Sequence, residues 1–200
     1  MIASPMKEFK IGVGIALILF GVYFFFPQSN PQSLPSETLE LTDLTQVNYI
    51  PNLPPSSVSS ENFEVLTFSA DGSSQKESLS LDSLRGKPFI IHFWTTWCPH
   101  CVEELPTFLK FIKSRSVTYL AISNEELTPE EMGTFLKKYN ITSLKVILDP
   151  KGKLHSRLSI RGMPTTVLVN SQTREIGRIV GSAPWENNQF AELLIKKMKL

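Results

Sequence analysis

Residues 88–94 (PFIIHFW) form an almost unbroken apolar run, and four residues after it stands Cys98, which with Cys101 makes up the cysteine content of the chain. Such a run suits a strand buried on both faces. Beyond it Val102, Leu105, Phe108, Leu109 and Ile112 recur at helical spacing. The cysteines therefore sit where a buried strand ends and a helix begins. Pro99 fits the first helical position, where a backbone N–H would have no partner. Cys98 then faces the unpaired amides and the positive end of the helix dipole, which both favour thiolate over thiol. Cys101, one turn later, is near enough to close a disulfide but points inward. Cys98 is thus expected to attack and Cys101 to resolve. A cationic His100 beside the Cys98 sulfur would stabilise the thiolate further, making the disulfide a stronger oxidant.

Other uses of the pair are weaker. A structural staple across two residues closes too short a loop to stabilise much. A Cu(I) clamp from Cys98, Cys101 and His100 has suitable soft ligands, whereas tetrahedral zinc needs ligands that no second cysteine pair supplies. Thr95-x-x-Cys98 matches the threonine–cysteine spacing of peroxide-reducing enzymes, on a single short pattern. CxxC between a buried strand and a helix is the more specific signal. It points to thiol–disulfide exchange with no metal, and with no cofactor beyond the Cys98–Cys101 disulfide itself.

The rest of the chain sets the context. Lys and Arg number 20 against 19 Asp and Glu, so no long-range field directs the chain to nucleic acid. Residues 1–10 read as a short cytoplasmic N-terminus. Ile11–Phe26 carries no charge; as a helix it would be about 24 Å long, a little short of a hydrocarbon core of roughly 30 Å, with Phe9 and a snorkelling Lys10 extending it. No small-x-small cleavage pattern follows, so the segment reads as an uncleaved transmembrane anchor rather than a removed signal. Lys7 and Lys10 precede it and the next basic residue is Lys76. The N-terminus is therefore expected inside and the remainder outside, where disulfides persist. Residues 27–60, rich in Pro, Ser, Asn and Gln, read as a flexible tether. Residues 61–200 suffice for one domain. There 63–68, 117–123, 144–149, 165–169 and 175–181 pattern as further strands, the last two as a hairpin. Thr128–Glu131 reads as a capping box opening a helix with Met132, Phe135, Leu136 and Tyr139 on one face. Phe190, Leu193, Leu194 and Met198 mark the closing helix. The order implies an α/β sandwich around a mixed sheet.

Over residues 63–190 the sequence resembles the thioredoxin superfamily, and within it the membrane-anchored TlpA/ResA-like thiol–disulfide oxidoreductases. The resemblance rests on SLDSLRGKPFIIHFWTTWCPHCVEELP, on FLKKYNI with the later LDPKGKLHSRLSIRGMPTTVLV, and on GRIVG. It implies a thioredoxin-like fold, a mixed central sheet flanked by helices, preceded by one transmembrane helix. Met163–Pro164 then matches the cis-proline loop facing the cysteines, where the Met163 backbone, next to Thr165, would pair with an extended substrate segment. Glu104 matches the acidic residue of a C-x-x-E-x-P pattern that tunes the cysteines and their proton transfers, and Pro106 would kink the helix. Trp94 and Trp97 would shape an apolar rim around Cys98.

Two residues depart from the pattern. His92 stands where thioredoxins carry a buried aspartate and TlpA-like proteins often an asparagine; it is either a satisfied core histidine or a proton relay to Cys101. Pro99-His100 is more familiar in DsbA-type oxidases. The resemblance implies a single-pass reductase on the bacterial cytoplasmic membrane, its catalytic domain periplasmic or extracytoplasmic. It would act on protein thiols or disulfides, as in cytochrome c maturation, and trade electrons with a membrane donor or acceptor. An oxidant or isomerase and a Cu(I)-delivery module are the alternatives. His155 reads as a surface residue.

Overall fold

The computed structural model describes residues 44, 47–58, 62–69, 71–141 and 144–199; the apolar run Ile11–Phe26 and its flanks lie outside them. Eight strands, β1 (Tyr49–Ser57), β2 (Asn62–Phe68), β3 (Ser74–Ser80), β4 (Phe89–Phe93), β5 (Thr118–Ser123), β6 (Lys145–Leu148), β7 (Thr165–Val169) and β8 (Arg174–Val180), form one sheet in the order β1-β8-β7-β4-β5-β6-β2-β3. The helices are α1 (Pro99–Arg115), α2 (Pro129–Lys138), α3 (Lys153–Arg157) and α4 (Asn188–Lys199). β4, β5 and β6 run parallel through the β-α-β part, and all other pairings are antiparallel, as expected of a mixed sheet.

All five residues of β4 are buried, and alternation sends them to two cores. Ile90 and the following Trp94 join the core beneath α1, α2 and α4; Phe89, Ile91 and Phe93 join the core on the α3 side, with Leu154, Leu158 and Leu81. Each such fully buried side chain contributes roughly 1.5–3 kcal/mol. The capping box of α2 is formed, Thr128 Oγ1 accepting from Glu131 N–H and the Glu131 carboxylate from Thr128 N–H. Met132 and Leu136 are buried as expected, but Tyr139 sits at the C-cap, largely exposed.

The expected tether is corrected at its C-terminal end. Residues 49–57 are not tether but β1, which pairs with β8, and Leu44, Val47 and Val58 are buried. Pro51, Pro54 and Pro55 are tolerated because β1 is an edge strand whose register shifts between Pro51 and Ser56. Tyr49 covers Gly177 and donates its hydroxyl hydrogen to the Ile176 carbonyl. Polar β3 and the five-residue α3 were also not expected. In α3, His155 is half-buried, edge-on to Phe93 at 6.2 Å, rather than a free surface residue.

Candidate active site

The junction between β4 and α1 places the cysteines at the helix N-terminus. Cys98 is the N-cap, with extended backbone, and Pro99 opens the helix. The two cysteines are joined in a disulfide, their Cα atoms 5.3 Å apart. Cys98 Sγ accepts a hydrogen bond from Cys101 N–H at 3.2 Å, where a capping oxygen normally stands. That amide would stabilise a Cys98 thiolate once the disulfide opens. Cys98 retains 5% exposure and Cys101 none, so an incoming sulfur reaches Cys98 first. Pro99 and His100 are exposed. Pro106 lies inside α1 and has no N–H to give the Val102 carbonyl.

One turn beyond Cys101 on the same face, the Glu104 carboxyl is buried. Its Oε2 accepts from Ala183 N–H at 3.1 Å and from Trp185 Nε1–H at 3.2 Å. Its Oε1 faces His92 Nε2 at 3.5 Å. That distance is long for a hydrogen bond, yet neither atom has another partner among the described residues. Burial pushes the Glu104 carboxyl up to about 7, against the opposing pull of the Ala183, Trp185 and Ser182 hydrogen bonds. Burial alone pushes His92 down to about 3. Both directions favour a neutral pair with the proton on Glu104 Oε1, facing the lone pair of His92 Nε2. The other ring nitrogen, Nδ1, is then the N–H that donates to Thr166 Oγ1 at 3.0 Å, a tautomer assigned from this network. His92 also stacks on Phe108, with centroids 4.3 Å apart.

The two tryptophans expected at the rim differ. Trp97 is 69% exposed beside Cys98, but Trp94 has no exposure and packs against Phe135, so it belongs to the core and not to a substrate surface. Register places Thr165 opposite Phe93, which brings the preceding Pro164 beside the end of β4, where the segment leading to the cysteines begins. The Met163–Pro164 bond is cis. Met163 is half-buried, whereas Thr165 is buried with its hydroxyl donating to the Gly162 carbonyl, which holds the loop.

Sequence reasoning missed two supports. Trp185 packs against Phe108, Phe111 and Phe190 while donating to Glu104; a lone tryptophan in the polar GSAPW loop was the available signal. Glu125 accepts from Thr96 N–H, Thr96 Oγ1–H and Ser123 Oγ–H at 2.6–2.8 Å, fixing the loop that carries Trp97. No periodicity marks it. Among the described residues no three His, Cys, Asp or Glu side chains gather as metal ligands, and no helix is long and apolar enough to cross a membrane.

A family model described as the AhpC/TSA family matches residues 61–175. The chain belongs to the AhpC/TSA family. Among relatives of this AhpC/TSA member, sporulation thiol-disulfide oxidoreductase A of Bacillus subtilis is 35% identical over 48% of the chain and 60% of its own length. The thiol-disulfide oxidoreductase ResA of Halalkalibacterium halodurans is 35% identical over 52% of the chain and 57% of its own. The matches thus span under two thirds of these relatives. The solved structure of StoA from Bacillus subtilis superimposes with a TM-score of 0.53 at 28% identity, covering 68% of this chain and 98% of that one. A DsbF homologue from Corynebacterium diphtheriae gives 0.59 at 19% identity, covering 74% and 92%. The fold of the AhpC/TSA-family protein is thioredoxin-like.

Proposed function

We propose that the protein is a membrane-anchored, extracytoplasmic thiol–disulfide oxidoreductase that reduces disulfides of other proteins. The observation that carries this reading is the asymmetry of the pair: Cys98 at the helix N-cap with residual exposure, Cys101 sealed beneath it one turn from a buried acid. The relatives named thiol-disulfide oxidoreductases support it.

In the reduced enzyme the Cys98 thiolate attacks one sulfur of a partner disulfide, and the other sulfur leaves as thiolate and takes a proton. Cys101 then loses its proton, attacks Cys98 Sγ and releases the partner's second thiolate. The partner gains two electrons, and the Cys98–Cys101 disulfide forms. In this reading Glu104, one turn along α1 from Cys101 and paired with His92, receives the Cys101 proton. The accepting form is the ionised Glu104 carboxylate, and taking up the Cys101 proton returns it to the buried neutral acid. The Met163 backbone receives an extended partner segment, and Trp97 flanks it.

Two features favour a reducing couple. His100 is exposed, where water and salt would screen a cation. The buried Glu104 carboxyl is held towards its neutral form and offers Cys101 no cation, so nothing there stabilises a second thiolate and with it the reduced form. A membrane electron donor would then regenerate the dithiol, with Ile11–Phe26 as the anchor and cytochrome c maturation among the processes served. The test is Cys101→Ser: it leaves Cys98 to attack but removes the resolving thiol. Covalent adducts with extracytoplasmic proteins, released by dithiothreitol, are expected in cells. Their absence, with the variant folded and present, would overturn the mechanism.

A further inference from the structure

The face of the sheet that carries α3 is incompletely covered. The five-residue α3 and the 3-10 turn Leu81–Leu84 pack there, and beyond α3 β7, β8 and β1 form the floor of an open groove of about 700 Å³, a volume typical of ligand sites. Its base is an ion pair: Arg178 donates to both Glu175 carboxylate oxygens at 2.7 and 2.8 Å, and its third arm donates to the Leu158 carbonyl at 2.8 Å. Glu175 is thereby neutralised, while Arg157 and Arg161, both exposed, stand on the rim. Ile50, 47% exposed, adds an apolar wall.

Two further observations say what fits. Gly162 and Thr165, which bracket the Met163–Pro164 loop, also line the groove, so it continues outward from the loop that lies beside the end of β4. Between Asp149 and Glu175 the sequence holds five basic residues and no acid, although the chain's net charge is only +1. We infer that the groove selects protein substrates whose target cysteine is flanked by an acidic segment, with Arg157 and Arg161 receiving the carboxylates. Electrostatic complementarity of this kind acts chiefly on the rate of encounter and on choice of partner.

This inference rests on the reductase reading, and one experiment separates the two. The reduced full chain is mixed with hydroxyethyl disulfide and with disulfide-bonded peptides that carry Asp and Glu, or Asn and Gln, on either side of the cysteine. The acidic peptide is expected to react about fivefold faster than its amide counterpart, as two exposed ion pairs would give. That ratio should fall to about one in Arg157→Gln/Arg161→Gln or in concentrated salt. It should persist in Lys110→Gln/Lys113→Gln, which removes the same charge from α1. Equal rates for the two peptides, or a preference surviving loss of both arginines, would overturn the inference alone. No reaction even with hydroxyethyl disulfide would overturn the reductase reading, and this inference with it.

Discussion

His92 Nε2 and Glu104 Oε1 face each other at 3.5 Å inside the protein, and neither has another hydrogen-bond partner among the described residues. A strand residue two positions before the β4–α1 loop and a helix residue one turn after the resolving cysteine thus form one polar unit within an aromatic cage.

The pair sets the pH dependence of stability from both sides. Glu104 is raised to about 7 from an ordinary carboxyl value of 4.5, so between those pH values the unfolded chain releases its proton first and stability falls as pH rises. His92 is lowered to about 3 from 6.5, so the unfolded chain takes up the proton first and stability falls as pH drops from 6.5 to 3. The two slopes oppose each other between about 4.5 and 6.5, which predicts a plateau there with a decline on either side. In Glu104→Gln, whose amide mimics the protonated acid, the alkaline decline should disappear; in His92→Asn, the acid decline. Urea midpoints measured from pH 4 to 8 check this, and variants with unchanged profiles would contradict it.

Gly133 in α2 makes a prediction opposite to helix propensity. Alanine there should gain about 1 kcal/mol as a helix former. A Cβ, however, would collide with the Gly72 carbonyl oxygen in the β2–β3 turn, a backbone atom that cannot swing aside. Gly133→Ala is therefore expected to destabilise by about 1–3 kcal/mol, seen as a lower urea midpoint. A higher midpoint would show that the turn does not press on the helix.

The position of β1 predicts where the domain begins. A chain starting at Glu61 lacks Leu44, Val47 and Val58, each buried, and leaves β8 as an open edge. Burial of such side chains is worth roughly 1.5–3 kcal/mol apiece. Compared with a chain starting at Thr38, it should unfold at a clearly lower temperature and associate more readily. Equal melting temperatures would contradict the role of β1.

Elements with strong local patterning were legible in the sequence. The apolar run of β4, the spacing along α1 and the Thr128–Glu131 capping box each fixed an element, and Cys98 and Cys101 announced their place by motif. What escaped was decided by tertiary context. β1 is proline-rich because only one of its edges needs partners, and β3 is polar because both its faces are largely exposed. Trp94 and Trp97 look alike in sequence, yet strand alternation buries the first and the following loop exposes the second. Trp185 and Glu125 act through residues distant in the chain, 81 and 29 positions away, a separation that no local period encodes.

The most direct test of the account is the reduction potential of the Cys98–Cys101 couple in the full chain at pH 7, equilibrated against glutathione and dithiothreitol buffers. An exposed His100 and a buried Glu104 predict a reducing couple near that of thioredoxin, about −270 mV. A value near that of the oxidant DsbA, about −120 mV, would contradict it and make the protein a disulfide donor.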